Sequence, residues 1–134
     1  MTVTPDQLTG DALAFLAERH LATFSSLRPD GSLHVTAVGF TWDPSTGLAR
    51  VITGGGSQKA RNARDGVAAT VCQVDGGRWI ALEGTARTTD DPKRVAEAVA
   101  RYAGRYRTPR ENPERVAIEV AVTRVLGSRK LLGR

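Results

Sequence analysis

The sequence predicts a mainly β protein: an antiparallel barrel of six strands in the all-β or α+β class, with three short helices at its ends. Two observations support this fold class. Apolar, β-branched runs of six to eleven residues recur along the chain, and turn signals such as Asp30-Gly31 join several of them directly. The first three runs also leave no room for crossover helices between them, which excludes a doubly wound parallel sheet.

The N-terminal part predicts one helix followed by three strands. Residues 11–19 place Leu13, Leu16 and Ala17 on one face, which is the spacing of a short helix. The strands are expected at residues 21–27, 33–42 and 48–53. Because only tight turns separate them, we expect an antiparallel meander.

The C-terminal part predicts two further helices and three further strands. Three glycines at 54–56 end the third strand, and Ser57 is a good N-cap for a helix over 57–65. Asp90-Asp91-Pro92 begins a helix that runs to about residue 103, and an Arg- and Pro-rich loop follows over 104–113. The remaining strands are expected at 67–74, 78–88 and 116–126.

The charge balance points to an anionic partner. Nineteen basic residues, sixteen of them arginine, face fourteen acidic ones, so the net charge is +5. A GC-rich genome accounts for arginine in place of lysine, but it does not account for the positive sum. The excess suits nucleic acid, a phosphorylated cofactor or a polycarboxylate.

Length and composition exclude several classes of protein. The 134 residues suit a single domain over 1–134, and no apolar run approaches the roughly 20 residues of a membrane span. The N-terminus lacks the pattern of a signal peptide, so we expect a cytoplasmic protein with no membrane partner. Cys72 is the only cysteine, which excludes an internal disulfide, and its apolar context predicts a small buried side chain.

The usual catalytic and metal-binding patterns are absent. His20 and His34 are not spaced as a ligand pair, so we expect no metal site. Glu83 and Glu119 fall in strands with no evident partner for carboxylate catalysis, and no nucleophile elbow is present. No residue is therefore assigned as catalytic.

The segment TGGGSQKARN has the chemistry of a phosphate cradle. Its glycines allow a ligand to approach the backbone closely, and the N–H groups of Gly56, Ser57 and Gln58 lie at a predicted helix start. Lys59 and Arg61 add positive charge. The segment does not match a Walker loop, and a flexible turn before a solvated basic helix remains the alternative.

Two other segments allow more than one interpretation. Trp79 follows a tight turn, where an indole can stack on a flat ligand, seal a subunit contact or fill the core. The segment RYAGRYRTPR, residues 101–110, carries four arginines and two tyrosines without an acid. Such a segment can bind a single-stranded nucleic acid or a polyanionic cofactor tail, or it can be a solvated helix end.

Nearly the whole chain resembles the split β-barrel flavin and deazaflavin oxidoreductases, the pyridoxamine-phosphate-oxidase-like superfamily. The resembling segments, in order, are DALAFLAERHLA, VTAVGFTWDP, VITGGGSQKARNA, QVDGGRWIALEGTA, RYRTPRENPERVAIEV and RVLGS. Together they look closest to the biliverdin reductases that use the deazaflavin coenzyme F-420. The resemblance implies an FMN-binding type of split barrel that forms a homodimer, with two cofactor sites at the interface.

The resemblance also implies which residues contact the cofactor. The strand backbone at 37–39 backs the deazaflavin ring, and the turn at 53–62 holds the phosphate and ribityl region. Ser57 stands where many relatives have arginine, which weakens the anion contact there. The implied cofactor-binding residues are Ala37, Val38, Gly39, Thr53, Gly54, Gly55, Ser57, Gln58, Lys59, Asn62, Gln73, Arg78 and Trp79.

The implied function is hydride transfer from reduced F-420 to a biliverdin-like tetrapyrrole, which gives bilirubin from biliverdin. The tetrapyrrole's propionates and the cofactor's oligoglutamate tail are anionic, and the arginines at 101–110 or Arg78 are candidates to bind them. One alternative is an FMN-dependent oxidase or reductase of the same superfamily. A barrel that only sequesters a cofactor, or that binds nucleic acid, is the non-catalytic alternative; few aromatics argue against nucleic acid.

Overall fold

A computed structural model describes residues 2–133, which form eight strands, four helices and one 3-10 turn. The strands are β1 (Thr2–Val3), β2 (Ala22–Leu27), β3 (Leu33–Val38), β4 (Phe40–Asp43), β5 (Leu48–Gly54), β6 (Val67–Asp75), β7 (Arg78–Thr89) and β8 (Arg115–Gly127). The helices are α1 (Gly10–Ala17), α2 (Gln58–Asn62), α3 (Pro92–Arg105) and α4 (Arg129–Leu132), and the 3-10 turn is Pro5–Gln7.

The strands form one antiparallel sheet that curls into a barrel. Its order is β3-β2-β6-β7-β8-β5-β4, with β1 added beside β8. The two outermost strands, β3 and β4, are consecutive in the chain, and only Gly39 separates them. The two ends of the sheet therefore have to meet at Gly39, which confirms the predicted barrel class.

The predicted strand over 33–42 is wrong in one respect, because it is two strands. The chain breaks at Gly39, where a Cβ atom would lie 3.0 Å from Cε2 of Tyr102 and 3.1 Å from Cε2 of Tyr106. This break and the two-residue β1 raise the count from the predicted six strands to eight. The expected meander also changes: the β2–β3 and β4–β5 hairpins form, but at opposite ends of the sheet order.

The other predicted elements are present within a few residues, but α1 buries a different face from the predicted one. Ala12, Phe15 and Leu16 are buried, whereas Ala17 is exposed and Leu13 is half-buried. Thr9 caps the helix by accepting from Ala12 N at 3.1 Å. Rotating the helix toward Phe15 buries the largest apolar side chain it carries, which removes the most apolar area from water.

The core fills the barrel interior and is closed at one end by α1 and α4. Strand alternation turns Ala22, Phe24 and Ser26 of β2 inward, as expected for a sheet with one buried face. The largest fully buried apolar side chains are Phe15, Phe24, Phe40, Ile80, Leu82 and Ile118. Cys72 is half-buried, and burial raises the pKa of its thiol, as expected of an unreactive cysteine.

A buried ion pair fastens the β4–β5 hairpin to α3. Asp43 is 3% exposed and binds Nη1 of Arg50 at 3.0 Å and Nη2 of Arg101 at 3.1 Å. Ser45 and Thr46 donate to the same carboxylate at 2.7 and 2.8 Å. Burial alone raises the pKa of Asp43, but these donors outweigh it and hold the pKa well below its usual range.

Asp43→Asn is expected to lower the free energy of unfolding by about 2 kcal/mol, because Arg50 loses its buried counter-charge but keeps a hydrogen-bond acceptor. A depressed carboxyl pKa adds stability above the unfolded-state value and loses it as the pH falls. The wild type should therefore lose stability in acid more steeply than Asp43→Asn in urea unfolding. Asp30→Asn, in the exposed β2–β3 turn, is the matched control. A similar loss of unfolding free energy in Asp43→Asn and Asp30→Asn would contradict the role assigned to the buried ion pair.

Candidate functional site

A pocket of about 300 Å³ opens where β3, β5 and α2 meet the loop after α3. Six of the thirteen predicted cofactor-binding residues lie in its wall. The full lining is Ala37, Val38, Gly39, Ile52, Thr53, Gly54, Lys59, Tyr102, Pro109, Asn112 and Arg115. A larger open groove of about 430 Å³ crosses β2, β3, β6 and β7 and includes none of the thirteen.

The turn between β5 and α2 allows close approach to the backbone. Gly55 N donates to Glu114 O at 2.8 Å, and a Cβ on Gly55 would lie 3.3 Å from the same oxygen. Gly54 lines the pocket directly, without a side chain to occupy it. The Gly54-Gly55 backbone is therefore open to a ligand on one side and packed against β8 on the other.

Ser57 serves as the helix cap in the structure. Its Oγ accepts from Ala60 N at 3.3 Å and from Oγ1 of Thr53 at 3.0 Å, and its N–H donates to Gly54 O at 3.1 Å. This N–H is thus already paired, and α2 has only five residues. A ligand anion at this turn has to be held mainly by side-chain charge.

Lys59 supplies that charge from within the pocket wall. The residue is partly buried and lines the pocket, and burial lowers the pKa of its ammonium group. Among residues 2–133, no carboxylate forms an ion pair with it. A partly desolvated cation without a counter-charge binds an anion more strongly than a fully hydrated one, so this position favours a phosphate or carboxylate.

Arg115 brings a second cation to the same pocket. Its Nη2 donates to Arg110 O at 2.6 Å, and its N donates to Asn112 O at 3.0 Å, which fixes the residue at the start of β8. Asn112 Oδ1 in turn accepts from Glu114 N at 2.9 Å. Lys59 and Arg115 approach the pocket from elements more than fifty residues apart in sequence.

An aromatic pair forms the wall next to Gly39. The rings of Tyr102 and Tyr106 lie 4.9 Å apart between centroids. Tyr106 Oη donates to His20 O at 2.5 Å, and burial raises the pKa of this phenol. Because the rings press against Gly39, the exposed edge of the β3–β4 backbone is held in a defined position beside the pocket.

Four predicted residues lie next to the pocket or beneath it without lining it. These are Gly55, Ser57, Gln58 and Asn62. Gln58 Nε2 donates to Asn62 Oδ1 at 2.7 Å, and Asn62 Nδ2 donates to Ser26 Oγ at 3.1 Å. Asn62 is buried, and these bonds hold α2 against β2.

Gln73, Arg78 and Trp79 do not line the pocket in this single chain. Gln73 is fully buried, and its Nε2 donates to Phe15 O at 2.7 Å. Trp79 is 37% exposed at the start of β7. A cofactor role for these three residues stays a prediction that depends on a second subunit.

Arg78 is already paired with two carboxylates. Its Nη1 lies 2.8 Å from Oε2 of Glu18, and Nη2 also contacts Asp75. Hydrogen bonds from Arg78 and then His20 lower the pKa of Glu18 to about 2. Glu18, His20 and Asp75 together have the donor atoms of a metal site, but the Arg78 guanidinium is the cation that these carboxylates bind.

The arginine-rich segment divides into structural and free residues. Arg101 binds Asp43 and Glu97, and Arg105 donates to Phe40 O, Glu18 O and Oε1 of Gln73 at 2.5 to 2.9 Å. Burial lowers the pKa of Arg105. Arg107 and Arg110 are exposed. Glu83 and Glu119, for which the sequence offered no partner for carboxylate catalysis, form ion pairs with Arg124 and Arg94 at 2.8 and 2.6 Å.

Five lining residues were not singled out from the sequence as ligand contacts: Ile52, Tyr102, Pro109, Asn112 and Arg115. The only available signal was the basic and aromatic composition of 101–110, which contains two of them. Asn112 and Arg115 lie in an ordinary-looking polar loop, and only the fold brings this loop to the pocket.

A curled antiparallel sheet with a polar pocket at its closing edge is the architecture of the split-barrel class of proteins. Residues 8–129 match the model of the pyridoxamine 5'-phosphate oxidase family, and the chain belongs to this family. Within residues 2–133, none of the helices combines the length and the apolar character needed to cross a membrane.

Several known proteins are similar to this chain over most or all of its length. An F-420H(2)-dependent biliverdin reductase of Mycobacterium tuberculosis is 59% identical over 134 residues, covering 100% of this chain and 98% of that protein. A solved F-420 reductase is 25% identical with a TM-score of 0.68, over 84% of this chain and 94% of that one. A conserved hypothetical protein of Mycobacterium tuberculosis, 23% identical with a TM-score of 0.74 over 91% and 85% of the two chains, shows the same fold.

Proposed function

We propose that this chain is an oxidoreductase that transfers a hydride from reduced coenzyme F-420 to a biliverdin-like tetrapyrrole. The observation that carries the proposal is Lys59, a partly buried ammonium without a counter-ion, in a pocket walled by strand-end backbone. The 59% identity to a biliverdin reductase dependent on the reduced cofactor supports the choice of cofactor and acceptor.

The residues present fit such a cofactor. Gly54 lines the pocket without a side chain, and a Cβ there would lie 3.8 Å from Nδ2 of Asn112, so a phosphate has room to approach Lys59. Arg115 adds a second charge to this end of the pocket. At the other end, the backbone at 37–39 and the ring of Tyr102 form a flat wall for the deazaflavin.

The chain contributes binding and orientation to the reaction. When bound, the reduced deazaflavin supplies a hydride from C5 of its ring. The rigid 37–39 backbone, held by the two tyrosines, would set the face of the ring that meets the acceptor, and such orientation is a large part of the rate enhancement. Reduction of biliverdin to bilirubin at its central methine carbon would need this hydride and one proton. No residue of the pocket is assigned as its donor.

We also propose a homodimer in which the partner subunit completes each cofactor site. Support comes from β3, an edge of the sheet whose Leu33 and Val35 are 67% and 58% exposed. Apolar side chains on an open strand edge favour pairing with a second chain. The cytoplasmic location inferred from the sequence likewise stays a prediction.

The test is incubation with reduced F-420 and biliverdin, following oxidised cofactor and bilirubin together. We expect one bilirubin for each cofactor oxidised. Parallel titrations with F-420 and FMN separate the two cofactors, and we expect tighter binding of F-420. Tight FMN binding with no oxidation of F-420 would favour an FMN-dependent oxidase or reductase instead, and F-420 binding without turnover of biliverdin would favour sequestration.

A further inference from the structure

A second cleft, of about 360 Å³, adjoins the cofactor pocket through a shared lining residue, Tyr102. Arg19, His20 and Leu21 form one side of it, and Tyr106 and Arg107 form the other together with Tyr102. Tyr102 lines both cavities. A molecule in this cleft therefore lies next to the proposed cofactor, and one long enough to pass the ring of Tyr102 reaches it.

The cleft carries two free positive charges. Arg19 and Arg107 are both exposed, and neither forms an ion pair or a side-chain hydrogen bond with another residue in the range 2–133. Their neighbours differ in this respect, because Arg101 and Arg105 are bound within the fold. Glu18, the neighbour of Arg19 in the sequence, is already paired with Arg78.

The other lining residues are His20, Leu21, Tyr102 and Tyr106, so the cleft combines apolar and polar surface. Leu21 is 65% exposed and offers apolar surface to a ligand in the cleft. The rings of Tyr102 and Tyr106 both line the cleft and are tilted by 34° to each other. Aromatic faces and an exposed leucine bind a conjugated ring system, whereas a flexible carboxylate tail needs only the arginines.

The walls of the cleft are fixed before any ligand binds. The hydroxyl of Tyr106 is tied to His20 O at 2.5 Å, and Arg105 donates to Glu18 O at 2.9 Å. The segment 18–21 is thereby fastened to the end of α3. A pre-formed wall lowers the ordering cost of binding.

We propose that this cleft is the acceptor subsite, in which Arg19 and Arg107 bind the carboxylates of a conjugated tetrapyrrole and Leu21, Tyr102 and Tyr106 contact its rings. The inference rests on the proposed function and adds the residues that select the substrate. One end of the acceptor is held at the arginines, and its central atoms extend past Tyr102 to the cofactor pocket. The arginines act on binding, so they set KM rather than kcat.

The experiment compares Arg19→Gln, Arg107→Gln and the double variant with Arg110→Gln as the control. Arg110 is an exposed arginine of the same segment that does not line the cleft. Each cleft variant should raise the KM for biliverdin about 10-fold, the loss of one charge-assisted contact, with kcat and the Kd for F-420 unchanged. The dimethyl ester of biliverdin should show a high KM with the wild type and little further change in the variants.

A second measurement does not depend on turnover. Biliverdin is titrated into the cofactor-free protein and followed by its induced visible circular dichroism, and the double variant should bind more weakly than Arg110→Gln. Equal biliverdin binding and equal KM in the double variant and in Arg110→Gln would overturn the subsite. The cleft variants could instead bind F-420 more weakly than the wild type, with no such difference for a cofactor that lacks the glutamate tail. That result would overturn the acceptor subsite and identify the cleft as a binding site for the tail. If biliverdin binds through the two arginines but is not reduced, the binding site is confirmed and the proposed function is refuted.

Discussion

Lys59→Met is expected to weaken F-420 binding by about 10- to 100-fold, because one charge-assisted bond to an anion is lost. Fold stability should not fall, since burial already lowers the pKa of this ammonium and methionine keeps the length of the side chain. The measurement is a fluorescence titration with the cofactor, accompanied by thermal unfolding. Lys93→Met, which removes an exposed lysine from α3, is the control for the loss of one positive charge.

The affinity for F-420 should also depend on pH, in a direction that the pKa of Lys59 determines. A lysine whose pKa is lowered loses its charge at a lower pH than an ordinary lysine, so cofactor affinity should decline as the pH rises into the alkaline range. Lys59→Met should show a flatter profile over the same range. Unchanged affinity together with an unchanged profile would remove Lys59 from the cofactor site.

Gly84→Ala is expected to destabilise the protein by about 4 kcal/mol, at the upper end for overpacking against backbone that has no room to move. A Cβ at this position would overlap the carbonyl oxygen of Ala121 and lie 2.9 Å from Cα of Val122. The register of β7 and β8 shifts beside it, where Thr123 is the extra residue of a bulge. The atoms contacted are all backbone atoms of β8, so side-chain rotation cannot relieve the overlap.

Urea unfolding of Gly84→Ala beside Gly77→Ala checks this prediction. Gly77 lies in the β6–β7 turn, where a Cβ meets nothing within 4 Å, so its substitution should leave stability within about 0.5 kcal/mol of the wild type. Equal midpoints for both variants would show that the two strands can separate at the bulge. A soluble but unstable Gly84→Ala should still bind F-420 at low temperature, because the bulge is not part of the pocket.

Local sequence patterns were sufficient for most of the fold. Alternating apolar runs located β5, β6, β7 and β8 to within one residue, and cap residues located the starts of α2 and α3. These signals work because strand alternation and helix capping depend on neighbouring residues. The break at Gly39 had no such signal, since the reason for it is the approach of two tyrosine rings from more than sixty residues away.

The residues of the site also divide into those that the sequence identified and those that only the fold brings to the pocket. The turn over 53–62, with its glycines and Lys59, was identified from residue types alone because a phosphate cradle is built from one short segment. Asn112 and Arg115 reach the same pocket only because β8 pairs with β5. Arg78 was a candidate ligand from its charge, but in the fold it lies between Glu18 and Asp75.

The positively charged residues show most clearly what the sequence determines and what the tertiary structure determines. The sequence by itself established an excess of five positive charges, which predicts an anionic partner. Only the tertiary structure separated the arginines that hold α3 in place from Arg19 and Arg107, which line the second cleft and form no ion pair with any residue of 2–133. The physical reason is that a charge is most available to a ligand when the fold brings no carboxylate to neutralise it and leaves some of its donors unpaired, and those partners come from distant parts of the chain.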